Sequence, residues 1–283
     1  MVIRKVLLKR IGLAIFAILI IFICVGPVLF VFLNASKSPE EYNNSKFSLP
    51  GNFSYFLENS KELVGAGLIK WILNTVIVVV ISVIFTLILT TMSGYAFAKL
   101  KIPGKNVVYW LVIALLAMPI QVFLIPIFVM FSDLGLVNNL FSLAFIYSGF
   151  NYAFGTFLMT SFYKGIPDEI IESAKIDGAN KLQVYLRIML PLGKPAIITL
   201  GVLDFFTNWN ELFVALIFNS SSNSKLITPG IALFQQIAKP GLKLTDWPLI
   251  YTAVILSLII PFIIYFIFQN RIASGITVGA LKE

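Results

Sequence analysis

A chain of 283 residues that is 59% hydrophobic and only 12% charged lies outside the range of soluble domains, where about a quarter of the residues are charged. A fold of this size always leaves much of its surface exposed, so lipid must be the solvent for a large part of it. With no histidine, one cysteine and a net charge of +8, zinc clusters, disulfide frameworks and the commonest general base are excluded, and the basic residues sit in short clusters between apolar runs rather than along a nucleic-acid-binding stripe.

About twenty consecutive apolar residues cross a bilayer as a helix, and six stretches of this chain meet that length. Residues 1–10 carry Arg4, Lys5, Lys9 and Arg10 and read as a cytoplasmic N-terminus. The run that follows, residues 11–33, is too long for a signal peptide and lacks a small-residue cleavage site, so an uncleaved first transmembrane helix is expected. Cys24 lies inside it, and Ile23 argues against lipoprotein processing. Residues 34–70 form an extracytoplasmic loop. Residues 71–268 form a core of five further helices, over Trp71–Ala96, Val107–Phe131, Leu140–Phe162, Pro195–Phe218 and Leu249–Phe268. The period-2 alternation of a membrane barrel is missing, so the spans are helices. Pro119, Pro126 and Pro261 each remove a helix hydrogen bond and predict bends. Residues 269–283 form a cytoplasmic tail.

Orientation follows from Lys and Arg. Fourteen of the 21 basic residues fall in the N-terminus, the loop after the second span, the segment 164–194 and the tail. The positive-inside bias therefore puts both termini in the cytosol.

The segment Lys164–Lys194 predicts two short helices around a glycine. Pro167, Asp168 and Glu169 suit a helix start, and Gly178 can take the left-handed conformation that ends it. Asn180 with Gln183 predicts a capping box. Leu182, Tyr185, Leu186 and Met189 then follow at helical spacing as one apolar stripe, and Pro191 is expected to close the element. A cytoplasmic loop thus displays a helix-turn-helix.

Within that loop, Glu172-Ser173-Ala174, then Gly178, Ile188 and Leu190-Pro191 stand at the spacing of the EAA motif, with Asp177-Gly178-Ala179 as its extension. The chain resembles ABC importer permeases. Ser173 departs from the family's usual alanine. Trp71, Asn74-Thr75, the run Ser93 to Lys99, Met118-Pro119, Leu134-Gly135-Leu136 and the run Phe206 to Glu211 are similar to the carbohydrate branch, and to its shorter six-span maltose permease type. That resemblance covers residues 71–283.

It implies an all-α membrane protein with six transmembrane helices in the type I ABC importer permease fold. It also implies docking to a cytosolic ATPase through Glu172, Ser173, Ala174, Asp177, Gly178, Ala179, Leu182, Tyr185, Leu186, Ile188, Leu190 and Pro191. The tail residues Gln269, Gly275, Thr277 and Gly279 would reach the ATPase, although Glu283 replaces the usual terminal glycine. The implied partners are two ATP-binding subunits, a second permease chain and an extracytoplasmic substrate-binding protein, in a bacterial or archaeal inner membrane. No G-x-x-x-x-G-K-[ST] sequence occurs, so ATP and Mg would be bound by the partner ATPase.

Asp204, Asn208 and Glu211 fall at i, i+4 and i+7 and predict one polar face in the fifth span. Carboxylates inside a bilayer face a bundle interior or a wet cavity. With Asn210, and with Gln121 beside the expected bend, they are candidates for the translocation pathway; bonding between neighbouring helices explains them equally well. An ion-gradient-driven secondary transporter is the competing class, but no internal repeat is visible. A membrane enzyme is a third, without histidine or a metal cluster to support it.

Overall fold

The fold is taken from a computed structural model that describes the backbone of residues 2–238 and 246–280 and the side chains of residues 10–234 and 246–270. Among the described residues all regular structure is helical. The order is α1 (Val2–Ala35), α2 (Pro39–Asn44), α3 (Ser54–Gly65), α4 (Leu68–Lys99), α5 (Lys105–Ala114), a 3-10 turn (Leu115–Ala117) and α6 (Gln121–Asp133). Then come α7 (Leu140–Lys164), α8 (Asp168–Ile176), α9 (Lys181–Val184), a π turn (Tyr185–Met189), α10 (Leu190–Trp209), α11 (Phe213–Phe218), α12 (Ile227–Ala238) and α13 (Trp247–Ala280).

Among the described residues four segments are long and apolar enough to cross a membrane: Arg10–Ala35, Leu68–Lys99, Lys181–Trp209 and Trp247–Asn270. The pair α5–α6 makes a fifth if counted as one bent span. The remaining expected span, the fourth, corresponds to α7, whose 25 residues reach about 37 Å at 1.5 Å per residue. It is the more polar one because Ser142, Ser148, Thr156 and Thr160 are buried on it.

Two expectations need correction. The third span is not one helix: α5 with its 3-10 turn meets α6 at 104°. Met118, at φ −91° and ψ 127°, is pushed out of the helical region by the Pro119 ring, as residues before proline are. Pro126 and Pro261, by contrast, lie inside continuous helices. The fifth span starts earlier and stops earlier than expected. Pro191 opens α10 instead of closing α9, because the π turn bonds Leu190 N to Tyr185 O and shifts the register before the residue without an N–H. The same span then breaks at Asn210, and α11 restarts at Phe213. In α13 the apolar span is Trp247–Asn270, and the helix runs on past it to Ala280.

The chain forms two compact units. One comprises the chain up to Ile69 with Ile231–Ile259. In it, the end of α1 is fastened by Thr252 Oγ1 and Asn59 Nδ2, which both donate to Ala35 O at 3.1 and 3.2 Å. Lys37 is fully buried beside them and donates to Ser45 O and Lys46 O. Its burial holds the ammonium pKa below the ordinary lysine value, with Glu41 opposing the shift.

The other unit comprises Lys70–Gly230 with the chain from Ile260 on. Its core includes two centres among the described residues. Val78, Leu143, Tyr147, Ala215 and Phe218 pack at one, and Tyr95, Met159, Tyr163, Tyr185 and Met189 at the other. The second centre lies under α8 and α9. Small residues allow the close approach. A Cβ at Gly94 would sit 2.6 Å from Met159 Cβ, so α4 and α7 touch backbone to side chain with no room for a methyl.

Candidate functional site

The loop between α7 and α10 is built as the sequence pattern predicts. Asp168 and Glu169 stand in the first turn of α8, where their charge complements the helix dipole. Gly178 takes φ +84°, a conformation that costs a side-chain-bearing residue about 1–2 kcal/mol. Around it, Ala179 N bonds Ala174 O at 2.9 Å and Gly178 N bonds Lys175 O at 3.0 Å, the paired bonds of a Schellman C-cap. Two residues on, Asn180 Oδ1 accepts from Gln183 N at 2.9 Å, while Gln183 Oε1 accepts from Asn180 N at 2.8 Å. Both helix ends at the turn are thus closed by local bonds, and the α8–α9 corner is rigid without outside help.

Its attachment to the membrane helices is equally specific. The Lys99 ammonium, at the end of α4, donates to Ile166 O and to Asp168 Oδ1. Lys99 is enclosed while Asp168 remains largely exposed. The hydrogen bond and the charge of Lys99 hold the Asp168 carboxyl below the usual aspartate range. Further along, Tyr95 OH donates to Lys181 O at 3.3 Å. Thr91 Oγ1 gives its one proton to Leu87 O at 2.6 Å, so the Tyr185 hydroxyl donates to Thr91 Oγ1 at 2.8 Å. Tyr95 and Tyr185 stack at 5.7 Å.

These contacts divide the expected apolar stripe. Tyr185 and Met189 are core residues, not knobs for a partner. Leu182 and Leu186 face outward, and Ile176, which the stripe did not include, is 87% exposed. Glu172, Ser173, Asp177 and Pro191 are exposed as well, with Ala174, Ala179, Ile188 and Leu190 half-buried. The outward face is therefore Glu172, Ile176, Leu182 and Leu186. Ile176 was legible as an apolar residue before a glycine turn, but periodicity alone counts such a position as core. In the tail, Gln269 is exposed. The side chains of Gly275, Thr277 and Gly279 lie outside the described residues, as do Lys282 and Glu283.

The polar residues of the fifth span do not form one stripe. Asp204 and Asn208 are both buried on α10, whereas Glu211 lies in the break and caps α11. Its Oε1 accepts from Val214 N at 2.9 Å, and its Oε2 accepts from Ala215 N at 3.0 Å and from Tyr147 OH at 2.9 Å. The i+7 spacing presumed an unbroken helix. Asn208 Nδ2 donates to Asp204 Oδ1 and Ser82 Oγ, both at 3.1 Å, and Asn151 Nδ2 donates to Asn208 Oδ1 at 2.9 Å. Ser148 Oγ extends the network to Ser82 O at 3.0 Å. Asp204 Oδ2 and Thr86 Oγ1 are buried without a close hydrogen bond, and the Thr86 hydroxyl is a polar neighbour of the Asp204 carboxyl.

At the bend before α6 this network borders a cavity of about 90 Å³ lined by Gln121, Tyr147, Asn151, Asn208 and Glu211, with Phe150 and Phe213. Gln121, Asn208 and Glu211 meet there. Asp204 does not line it, and Asn210 is exposed, donating to Phe206 O at 2.8 Å. Tyr147 and Asn151 were missed, since on a span rich in small polar residues nothing local distinguishes them.

Residues 90–278 match the family profile of the binding-protein-dependent transport system inner membrane component. Over 92% of this chain and 85% of the relative, the sequence is 28% identical to a diacetylchitobiose uptake system permease protein of Streptomyces coelicolor. It is 35% identical to a putative ABC transporter permease protein of a Caldicellulosiruptor species, covering 90% of this chain and 91% of the relative. The fold matches, at TM-score 0.80 and 22% identity, a chain of a bacterial ABC transporter involved in the import of the acidic polysaccharide alginate, covering 94% of this chain and 97% of that one.

Proposed function

Because the chain belongs to the family of binding-protein-dependent transport system inner membrane components, a family of multi-pass transport components and not of enzymes, we propose that it forms half of the translocation pathway of an ATP-driven carbohydrate importer. The diacetylchitobiose relative supports the carbohydrate class. Two cytosolic ATPase subunits supply the energy and bind ATP with Mg; a second permease chain completes the pathway; an extracytoplasmic binding protein delivers the sugar. Both termini face the cytosol, and the helical extension of α13 past Asn270 reaches toward the ATPases.

The observation that carries this reading is the corner at Gly178: two helices capped on both sides of one turn, exposing Glu172, Ile176, Leu182 and Leu186, and bonded to α4 through Lys99, Tyr95 and Tyr185. Helices seated in grooves are a recurrent recognition mode. A rigid corner tied to a span passes a displacement on; a flexible loop would absorb it. ATP-driven closure of the ATPases pushes the α8–α9 corner, and the tie to α4 tilts the bundle from inward- to outward-open.

The test is co-purification. The chain extracted in detergent with its membrane partners retains an ATPase, and Glu172→Lys or Gly178→Asp releases it. Import by the chain alone in liposomes under an ion gradient would overturn the reading, as would a cysteine at Gly178 that reacts with an impermeant reagent from outside the cell.

A further inference from the structure

The cavity at the α6 bend has an unusual charge balance. Glu211 is the one acidic side chain among its lining residues, which include no Lys or Arg, and its carboxyl group is engaged by three donors, Val214 N, Ala215 N and Tyr147 OH. Asn208 is likewise occupied, its amide nitrogen by Asp204 and Ser82 and its oxygen by Asn151. Thr207, also on the wall, gives its hydroxyl proton to Leu203 O. What the cavity leaves for a ligand is neutral. The Gln121 amide makes no hydrogen bond with any described residue, and Asn151 spends one amide hydrogen on Asn208 and keeps Oδ1. Phe150 and Phe213 present aromatic surface beside these amides.

We propose that this cavity is a subsite for one edge of an uncharged saccharide, with Gln121 and Asn151 as its hydrogen-bonding groups and Phe150 and Phe213 as the surfaces against its C–H face; the proposal rests on the reading of the chain as a carbohydrate permease. A sugar hydroxyl both donates and accepts, which an amide matches with its two faces. A metal cation or ammonium would find a single carboxyl group, three of whose roughly four acceptor positions are already taken. A uronate or sulfonate would bring an anion to Glu211 with no Lys or Arg on the wall to neutralise it, which is costly away from water. The volume of about 90 Å³ is below the roughly 300 Å³ at which whole-ligand sites begin, so the cavity holds part of a ring while the rest lies in the pathway. Position agrees with this. Gln121 opens α6 directly after the bend, and Asn151 and Phe213 come from two other helices, so three elements converge on one small polar wall.

The experiment uses the complete importer, with its ATPases, second permease and binding protein, in liposomes. Sugar imported per ATP hydrolysed is measured with maltotriose, diacetylchitobiose and a trisaccharide of uronic acid. Gln121→Ala is the principal variant, because Gln121 bonds to nothing described and its loss spares the fold; Asn151→Ala is the second. Import of the neutral sugar that wild type carries should fall about five- to tenfold per ATP in each, the size of one lost hydrogen bond. Gln121→Lys should raise the uronate relative to the neutral sugar. Unchanged import in both alanine variants overturns the subsite but leaves the permease reading intact, and so does a wild type that prefers the uronate. A wild type that hydrolyses ATP in response to its binding protein yet imports none of the three sugars overturns the subsite and the carbohydrate class together.

Discussion

The Tyr185 hydroxyl donates to Thr91 Oγ1 at 2.8 Å, joining the π turn below the Gly178 corner to the second long span. Both groups are enclosed, so the bond is made where no water can replace it. With the bonds of Tyr95 and Lys99, it joins the corner of α8 and α9 to α4. Tyr185→Phe removes the donor and keeps the ring stacked on Tyr95. Expected is a loss of about 1 kcal/mol in stability, with binding-protein-stimulated ATP hydrolysis retained and sugar import per ATP reduced. A double-mutant cycle with Thr91→Val, read by thermal unfolding in detergent and by import, checks it. Additive effects would show that the two side chains do not act together.

Glu211 closes the break between α10 and α11 by accepting three hydrogen bonds. Glu211→Ala leaves two backbone N–H groups and the buried Tyr147 hydroxyl unpaired, which should cost about 2–4 kcal/mol. Glu211→Gln keeps one acceptor oxygen and should cost less than half of that. Unfolding midpoints of the purified chain measure the order; an alanine variant as stable as the glutamine one would remove the capping role.

Gly178 and Gly94 are needed for different reasons. Gly178→Ala forces a Cβ into φ +84° and should loosen the corner by about 1–2 kcal/mol, seen as weaker co-purification of the ATPase with little change in the unfolding of the spans. Gly94→Ala places a methyl 2.6 Å from Met159 Cβ and should destabilise the α4–α7 packing by about 1–3 kcal/mol, seen in the unfolding midpoint. The same response from both variants would contradict the division.

The Lys99–Asp168 pair sets a pH dependence. The carboxyl of Asp168 is held below its ordinary value by Lys99, so its contribution is complete above the unfolded aspartate pKa of about 3.9 and is lost as pH falls through the lower folded value. Attachment of the ATPase should therefore be flat from about pH 5 upward with respect to this pair. Asp168→Asn should reproduce at neutral pH what strong acid does to wild type. Lys99→Met should do more, since it also strips Ile166 O of its donor. Co-purification and import across pH 5–8 test this; a wild-type step between pH 5 and 7 abolished by Asp168→Asn would refute the assignment.

Much of this was readable one residue after another. Long apolar runs mark spans because a backbone in lipid must bond to itself. Pro119 announces a bend because its ring and missing N–H act on adjacent residues. The caps at Gly178 and at Asn180–Gln183 are local too: their bonds join residues three to five apart. Local order is a poor guide where it meets packing. Asn208 to Glu211 looked like a continuation of one helix face, and the break at Asn210 with its Glu211 cap depends on Tyr147 from another span. Tyr185 and Leu186 are adjacent and both fit an apolar stripe, yet one is enclosed and the other faces out.

Amino-acid order alone therefore settled the lipid environment, the helical class, the family and the place of the Gly178 corner, all of which rest on composition or on spacing within a few residues. Which side chains of that corner face a partner, which amides stay unpaired at the α6 bend, and which helices approach within a methyl of each other were decided by the packed fold. The reason is that burial and hydrogen-bond occupancy belong to what lies opposite a residue, and in this chain the opposite residue is often more than fifty positions away: 57 between Asn151 and Asn208, 64 between Tyr147 and Glu211, and 94 between Thr91 and Tyr185.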